Sequence, residues 1–188
     1  MVPAWAGTRR GANIRDVPVN EIRIDRVARG RYRLTAEIAL PRPRADVFGF
    51  FAEPRNLERI TPAWLGFGIR TAGAIPMGRG ARIRYGLRLH GVPIGWESEI
   101  TAYDPPRRFV DEQVRGPYRR WVHEHRFEDV EGGCLVVDRV DYAPRGGAVA
   151  QALLVRRDLL AIFRHRHAVL ADLLGRAGQP AHLPTTAR

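Results

Sequence analysis

Hydrophobic and polar positions alternate from Arg31 onward. Tyr32, Leu34, Ala36 and Ile38 are separated by Arg31, Arg33, Thr35 and Glu37. A period of two puts the first set on one face of a strand and the second on the other. The pattern breaks at PRPRADVFGFFAEP, residues 41–54, where prolines bracket a helical run. Asn56 is placed to cap a second short helix that Pro62 closes. Strand-like segments follow near 65–72, 80–90, 94–103, 107–115, 118–129 and 134–142. The turns between them are marked by GVP at 91–93, DPP at 104–106, RGP at 115–117 and EGG at 131–133. Short strands joined by short turns predict an antiparallel meander.

From about 148 to 174 the period changes. Val155, Leu159, Ile162, Phe163, Val169, Leu170 and Leu173 recur at helical spacing and share one broad face. Gly175 and Gly178 mark its end. The expected order is one strand, two short helices, six strands and one long helix. That is an α+β fold in which a curved antiparallel sheet wraps around a long C-terminal helix. Such wrapping leaves a cavity between sheet and helix that suits a small molecule. Residues 1–28 show no sustained period and read as a loose or partly docked extension, with EIRIDRV as a candidate edge strand. The domain itself is expected over 29–176, and 177–188 as a disordered tail.

Composition narrows the function classes. A chain of 188 residues suits one domain. The single cysteine, Cys134, can form no internal disulfide. In the context CLVV it reads as a small buried hydrophobe, and the chain as cytoplasmic. No apolar run reaches the roughly 18 residues of a membrane span, and MVPAWAGTRRG lacks the apolar core of a secretory signal. The net charge of +11 raises nucleic acid as a partner. However, all 31 basic residues are arginine, and they are scattered along the chain. That points to a compositional bias rather than to phosphate contacts, and argues against nucleic acid.

Several segments carry a family resemblance. They are PRPRADVFGFFAEPRNLERITPAWLGF at 41–67, GVPIGWESEI at 91–100 and FVDEQVRGPYRRWVHEHRFEDVEGG at 109–133, completed by VDRVDYAP at 137–144 and RRDLLAIFRHRHAVLADLL at 156–174. Their order resembles the START-like, helix-grip (SRPBCC) superfamily, and most of all its bacterial polyketide cyclase/dehydrase-type ligand-binding branch. The resemblance spans about Tyr32 to Leu174. It implies a cavity between the sheet and the long helix that holds an apolar or amphipathic ligand. It implies no single activity, because one fold hosts many.

The densest chemistry lies in RWVHEHRF, residues 120–127. Alternation sets Trp121, His123, His125 and Phe127 on one face and Val122, Glu124 and Arg126 on the other. The aromatic set reads as the inner face. Two histidines at i and i+2 can share one ion, but a site needs a third ligand, and no adjacent motif supplies it. No metal or cofactor is therefore expected. Histidine is also the usual acid/base near neutral pH. The remaining reading is that both histidines line a pocket and orient a ligand.

Arg166 falls between Val155 and Leu159 on the helical wheel, in the middle of the apolar face. A charge there requires a partner. Asp111, Glu112, Asp138 and Asp141 are the sheet carboxylates available, with their inward or outward facing undecided. His165 and His167 lie about 200° apart on the same helix and cannot share one ligand; both read as structural histidines at the edges of the apolar face. Glu97 and Glu99 share a face opposite Arg82, Arg84 and Arg88 and read as cross-strand charge pairs. Gly78 and Gly80 precede no helix, so they form no phosphate loop. Trp64, Leu65 and Phe67 are candidates for a lip over the pocket, or for ordinary core.

The expected pocket draws Tyr85, Leu87 and Leu89 from one strand and Trp121, His123, His125 and Phe127 from another. Leu159, Ile162, Phe163, Arg166 and Leu170 come from the helix. Its ligand would be a lipid, quinone, isoprenoid or polyketide. The alternative is a cyclase or dehydratase with His123 or His125 as acid/base and Arg166 steadying an enolate or carboxylate. A third reading is an interaction module with a basic outer sheet face. The oligomeric state is left open.

Overall fold

The computed structural model describes residues 12–16 and 21–175. The strands are β1 Glu21–Ala28, β2 Arg31–Leu40, β3 Gly68–Ile69, β4 Arg82–Leu89, β5 Val92–Asp104, β6 Arg108–Arg115, β7 Tyr118–Val130 and β8 Gly133–Pro144. The helices are α1 Arg44–Phe51, α2 Asn56–Arg59, α3 Gly147–Ala150 and α4 Arg156–Leu174, with a π-helical turn, Gln151–Val155, between α3 and α4. All eight strands form one antiparallel sheet in the order β1-β2-β8-β7-β6-β5-β4-β3. β2 therefore pairs with the last strand, while β4 to β8 run as a meander.

The sheet curves because its pairing is interrupted. The β5–β6 register shifts between Glu97 and Ser98 and again between Ile100 and Ala102. Such bulges bend a strand and increase its twist. The concave face takes the alternating apolar residues of β2 (Leu34, Ala36, Ile38, Leu40) and of β8 (Val136, Val140, Tyr142), all buried. α4 lies across that face and buries Leu159, Phe163, Leu170 and Leu174. α1 closes one end through Val47, Phe48 and Phe50. Phe48 meets Phe127 edge-on at 5.3 Å, and Phe51 does so at 5.2 Å. Each such buried side chain is worth about 1.5–3 kcal/mol.

Two glycines matter to the path. His90 and Gly91 both have positive φ, 50° and 84°, in the tight β4–β5 turn, a conformation that suits glycine at the second position. A Cβ on Gly133 would fall 2.2 Å from the Leu40 carbonyl oxygen, so the start of β8 can approach β2 only without one.

Several expectations are corrected. The strand expected at 65–72 is reduced to Gly68–Ile69, after a 3-10 turn over Ala63–Leu65. Asn56 does not cap its own helix. The N-cap of α2 is Arg55, and the Asn56 amide donates to the Phe50 carbonyl at 2.9 Å, satisfying the end of α1. The candidate edge strand EIRIDRV, by contrast, is present: it lies within β1, paired with β2 from Glu21↔Glu37 to Ala28↔Arg31. Asn13 bridges to Glu131, and Ile14 packs with Val130, Leu135 and Val137 on the convex face. Gly178, the tail at 177–188 and the rest of the extension lie outside the described residues. No helix among the described residues is long and apolar enough to cross a membrane.

Candidate functional site

A cavity of about 210 Å³ opens between α4 and the concave sheet. Its wall is aromatic and aliphatic. Tyr85 stacks on Trp96 at 5.8 Å, and Trp96 meets Trp121 edge-on at 5.2 Å. Leu87, Leu89, Ile83 and Ile100 extend the sheet side, and Val155, Leu159, Ile162 and Phe163 form the helix side. Phe51, Leu57 and Ile60 come from the α1–α2 end.

Ten of the twelve residues expected at the pocket line it: Tyr85, Leu87, Leu89, Trp121, His123, His125, Leu159, Ile162, Phe163 and Arg166. Phe127 and Leu170 do not. Both are packed inside the buried cluster that includes Phe48 and Ile38. Alternation placed Phe127 on the correct face; its depth along the strand puts it behind the cavity floor. Leu65 and Phe67 line the cavity, whereas Trp64 is 52% exposed and is not part of the lining.

The floor is polar, and the register of three strands builds it. Asp111 on β6 lies directly opposite His123 on β7, and His125 lies directly opposite Asp138 on β8. Facing side chains in a ladder are near neighbours, and diagonal ones are still in reach. Each carboxylate therefore meets both rings. Asp111 Oδ2 is 3.5 Å from His123 Nδ1 and 3.3 Å from His125 Nε2. Asp138 Oδ1 is 3.3 Å from His123 Nε2 and 2.7 Å from His125 Nδ1. That last approach is an electrostatic contact with poor hydrogen-bond alignment. The two rings lie 3.8 Å apart, and Phe109 stacks on His125 at 4.2 Å.

Arg166 reaches this floor from α4. Its Nη1 donates to Asp138 Oδ2 at 3.4 Å, and its guanidinium lies 4.7 Å from the Phe163 ring centre. Its Nε has no hydrogen-bond partner among the described residues. Of the four carboxylates open to it from sequence, Asp138 is the partner. Asp141 turns to the convex face, where Arg33 grips it at 2.6 and 3.1 Å.

The charges balance within the floor. Burial would raise both carboxyl groups, but the histidines opposite outweigh it. They hold Asp138 well below the usual range and Asp111 below it as well, the latter with help from Arg166. Burial depresses both imidazoles too. For His125 the carboxylates of Asp138 and Asp111 prevail, and its pKa is raised. For His123 burial prevails, reinforced by the neighbouring His125, and its pKa is lowered. Burial and the nearby Asp111 push the Tyr85 phenol well up. It stays protonated and shares a 2.9 Å hydrogen bond with Ser98.

Asp111 and Asp138 are the floor residues that sequence reasoning named without placing. Their alternation, with Phe109 and with Val136, was available, but the inward face was not. Trp96 and Ser98, which also line the cavity, carried the same local signal. Glu97 and Glu99 face away and pair with Arg82 at 3.6 and 2.8 Å, as expected. His167 departs from expectation. It is 2% exposed, and neither ring nitrogen has a hydrogen-bond partner among the described residues.

Comparison with known proteins adds a family and a fold. The family model described as a domain of unknown function, DUF8410, matches residues 75–174. No curated protein sequence matches the chain. Among solved structures, protein Ms6760 from Mycobacterium smegmatis superposes with a TM-score of 0.62 at 19% identity, over 84% of this chain and 98% of that one. Major latex-like protein 151 from Panax ginseng does so with a TM-score of 0.56 at 15% identity, over 77% and 97%. TTHA0849 from Thermus thermophilus gives 0.56 at 17% identity, over 74% and 98%. At these identities the likeness is one of fold, and the fold is helix-grip.

Proposed function

The chain belongs to the DUF8410 family, and we propose that it binds a small hydrophobic or amphipathic molecule in the cavity between the sheet and α4. One observation carries this reading: the wall is apolar and aromatic, while polar groups converge on a single floor of Asp111, His123, His125 and Arg166. Such a shape fits an apolar body with one anionic or carbonyl end. Quinones, isoprenoids, short lipids and polyketides have that form. The motif order supports a place in the polyketide cyclase/dehydrase-type branch, and a lone buried Cys134 fits the cytoplasm.

The test is native mass spectrometry of freshly purified protein beside the denatured mass, repeated on Ile162→Trp. Ile162 is half-buried on the helix side of the cavity, so the indole would fill the space. An adduct of a few hundred daltons in the wild type that the variant lacks is the expected result. Equal uptake of an apolar fluorescent probe by both proteins would refute the reading.

The enzymatic alternative, a cyclase or dehydratase, is favoured by one feature. His125 is raised by two carboxylates and opens to the cavity, as a general acid near neutral pH should be. His125→Gln separates the two. It leaves affinity within a few-fold if the ring only lines the wall, and abolishes turnover while sparing binding if it is the acid. The interaction-module reading loses support on the convex face. There Asp141 pairs with Arg33 and Arg139, and Glu124 pairs with Arg108 and Arg126, so that each carboxylate offsets one of the two charges beside it.

A further inference from the structure

We infer that Asp111, His123 and His125 form a binding site for a divalent first-row transition metal of the zinc(II) type, with one coordination position open to the cavity. The three donor atoms lie within 4.8 Å of one another. The edges from Asp111 Oδ2 are 3.5 Å to His123 Nδ1 and 3.3 Å to His125 Nε2. Charge-assisted hydrogen bonds would draw the same atoms to about 2.8 Å. Ligands around a tetrahedral zinc, at bond lengths of about 2.0–2.2 Å, stand about 3.4 Å apart. Both spacings fit the ligands of one metal ion, which would replace the direct 3.3 Å hydrogen bond between His125 Nε2 and Asp111 Oδ2.

The shell behind these donors is also built. A ligating imidazole places its second nitrogen on a carboxylate, which sets the tautomer and steadies the ring. Here one carboxylate stands behind both rings: Asp138 Oδ1 is hydrogen-bonded to His123 Nε2 at 3.3 Å and makes an electrostatic contact with His125 Nδ1 at 2.7 Å. Its other oxygen takes the Arg166 guanidinium at 3.4 Å. The two rings thus present opposite atoms to Asp111, His123 through Nδ1 and His125 through Nε2. No sequence spacing shows this; it follows from the two ladder registers.

Donor chemistry selects the metal. Two imidazoles and one carboxylate suit zinc, iron(II) or cobalt(II), and not magnesium or calcium, which take oxygen shells. Three protein ligands with a fourth position free is the pattern of zinc sites that bind a water or a ligand atom. The cavity supplies that fourth direction, since all three residues line it. With neutral imidazoles, Asp111, Asp138 and Arg166 sum to one negative charge. A dication leaves one positive charge, which a bound hydroxide or an anionic oxygen of the cavity ligand would cancel. Only this last step rests on the ligand-binding reading; the metal site stands on its own geometry.

The experiment uses the full, tag-free chain, stripped with a chelator and titrated with cobalt(II) chloride. The expected result is one equivalent bound per chain, with the intense visible absorption of tetrahedral cobalt. His123→Ala and Asp111→Asn lose it, and His165→Ala, on α4 and outside the cavity lining, keeps it. Asp138→Asn weakens binding by about 10–100-fold. Should the floor variants fail to fold, anomalous diffraction from cobalt-soaked wild-type crystals decides alone. A peak among Asp111, His123 and His125 supports the site, and a peak elsewhere or none overturns it. Failure to take up cobalt, or an unchanged equivalent in the His123→Ala/His125→Ala double variant, also overturns it. Uptake of an apolar fluorescent probe by the metal-free protein is measured in parallel, so that loss of the ligand-binding reading and loss of the metal site are seen separately.

Discussion

Asp138 stands directly across the β7–β8 ladder from His125, and its Oδ1 lies 2.7 Å from the ring Nδ1. It is 1% exposed, and the same carboxylate also meets His123 and Arg166. A buried hub of this kind ties the helix to the sheet by charge, at a point where the apolar faces of both have been interrupted.

Removing that hub strands its partners. Asp138→Leu removes the direct ion-pair partner of the buried Arg166, a change that costs about 3–5 kcal/mol. Chemical denaturation should show the loss at pH 7. Adding Arg166→Met should restore a large part of it, because an apolar pair of similar volume replaces the ion pair. If the two losses simply add, the pair is not coupled.

His167 makes stability depend on pH. Burial, with Arg166 adding to it and Asp138 opposing, pushes its pKa down to about 4. In the unfolded chain the ring titrates near 6.5. Between those values the unfolded state binds the extra proton, so acid favours unfolding. The stability present above about pH 6.5 is lost as pH falls toward 4, and the full span is worth on the order of 3 kcal/mol. His167→Leu should flatten the fall in melting temperature between pH 7 and pH 5. An unchanged slope would assign the acid sensitivity to other groups.

Phe127 and Leu87 separate core from wall. Phe127 is 2% exposed and ringed by Phe48, Phe51 and Phe109. Phe127→Ala should therefore cost about 3–5 kcal/mol of stability. Leu87 is half-buried and lines the cavity. Leu87→Ala should cost about 1 kcal/mol, since much of its surface is already open. Its effect should appear instead in the affinity for an apolar probe. Thermal melts and probe titration on both variants check the split.

Glu99 tests the convex face. Its ion pair with Arg82 is largely open to solvent, with the arginine side chain 58% exposed. Glu99→Ala should change stability by less than about 1 kcal/mol and leave cavity binding unaltered. A large loss of binding would mean that the glutamate acts in the site after all.

Much of this architecture was legible along the chain. The period of two located β2 and β4 to β8, the period of 3.6 located α4, and alternation put both histidines on the inner face. These are local properties, because the backbone geometry of a single segment determines which way each side chain points. Arg166 was legible for the same reason: a charge in the middle of an apolar helix face signals a buried partner before that partner is known.

What alternation could not supply was register and depth. Asp111 meets His123, and Asp138 meets His125, because the turns at 104–107, 115–118 and 131–132 set how β6, β7 and β8 slide past one another. A shift of one residue would send each of these groups to the opposite face. Depth separates Phe127 and Leu170, packed as core, from His125 and Arg166 at the cavity, although alternation and helical spacing assign them the same faces. The Asn56 side chain satisfies the end of α1 instead of capping the start of α2, because the Phe50 carbonyl lay in reach only once α1 and α2 had packed. The sequence by itself determined the elements and their faces. The tertiary structure alone decided that two aspartates, two histidines and one arginine share a floor, since that floor comes from the pairing of four separate segments and no single one of them encodes it.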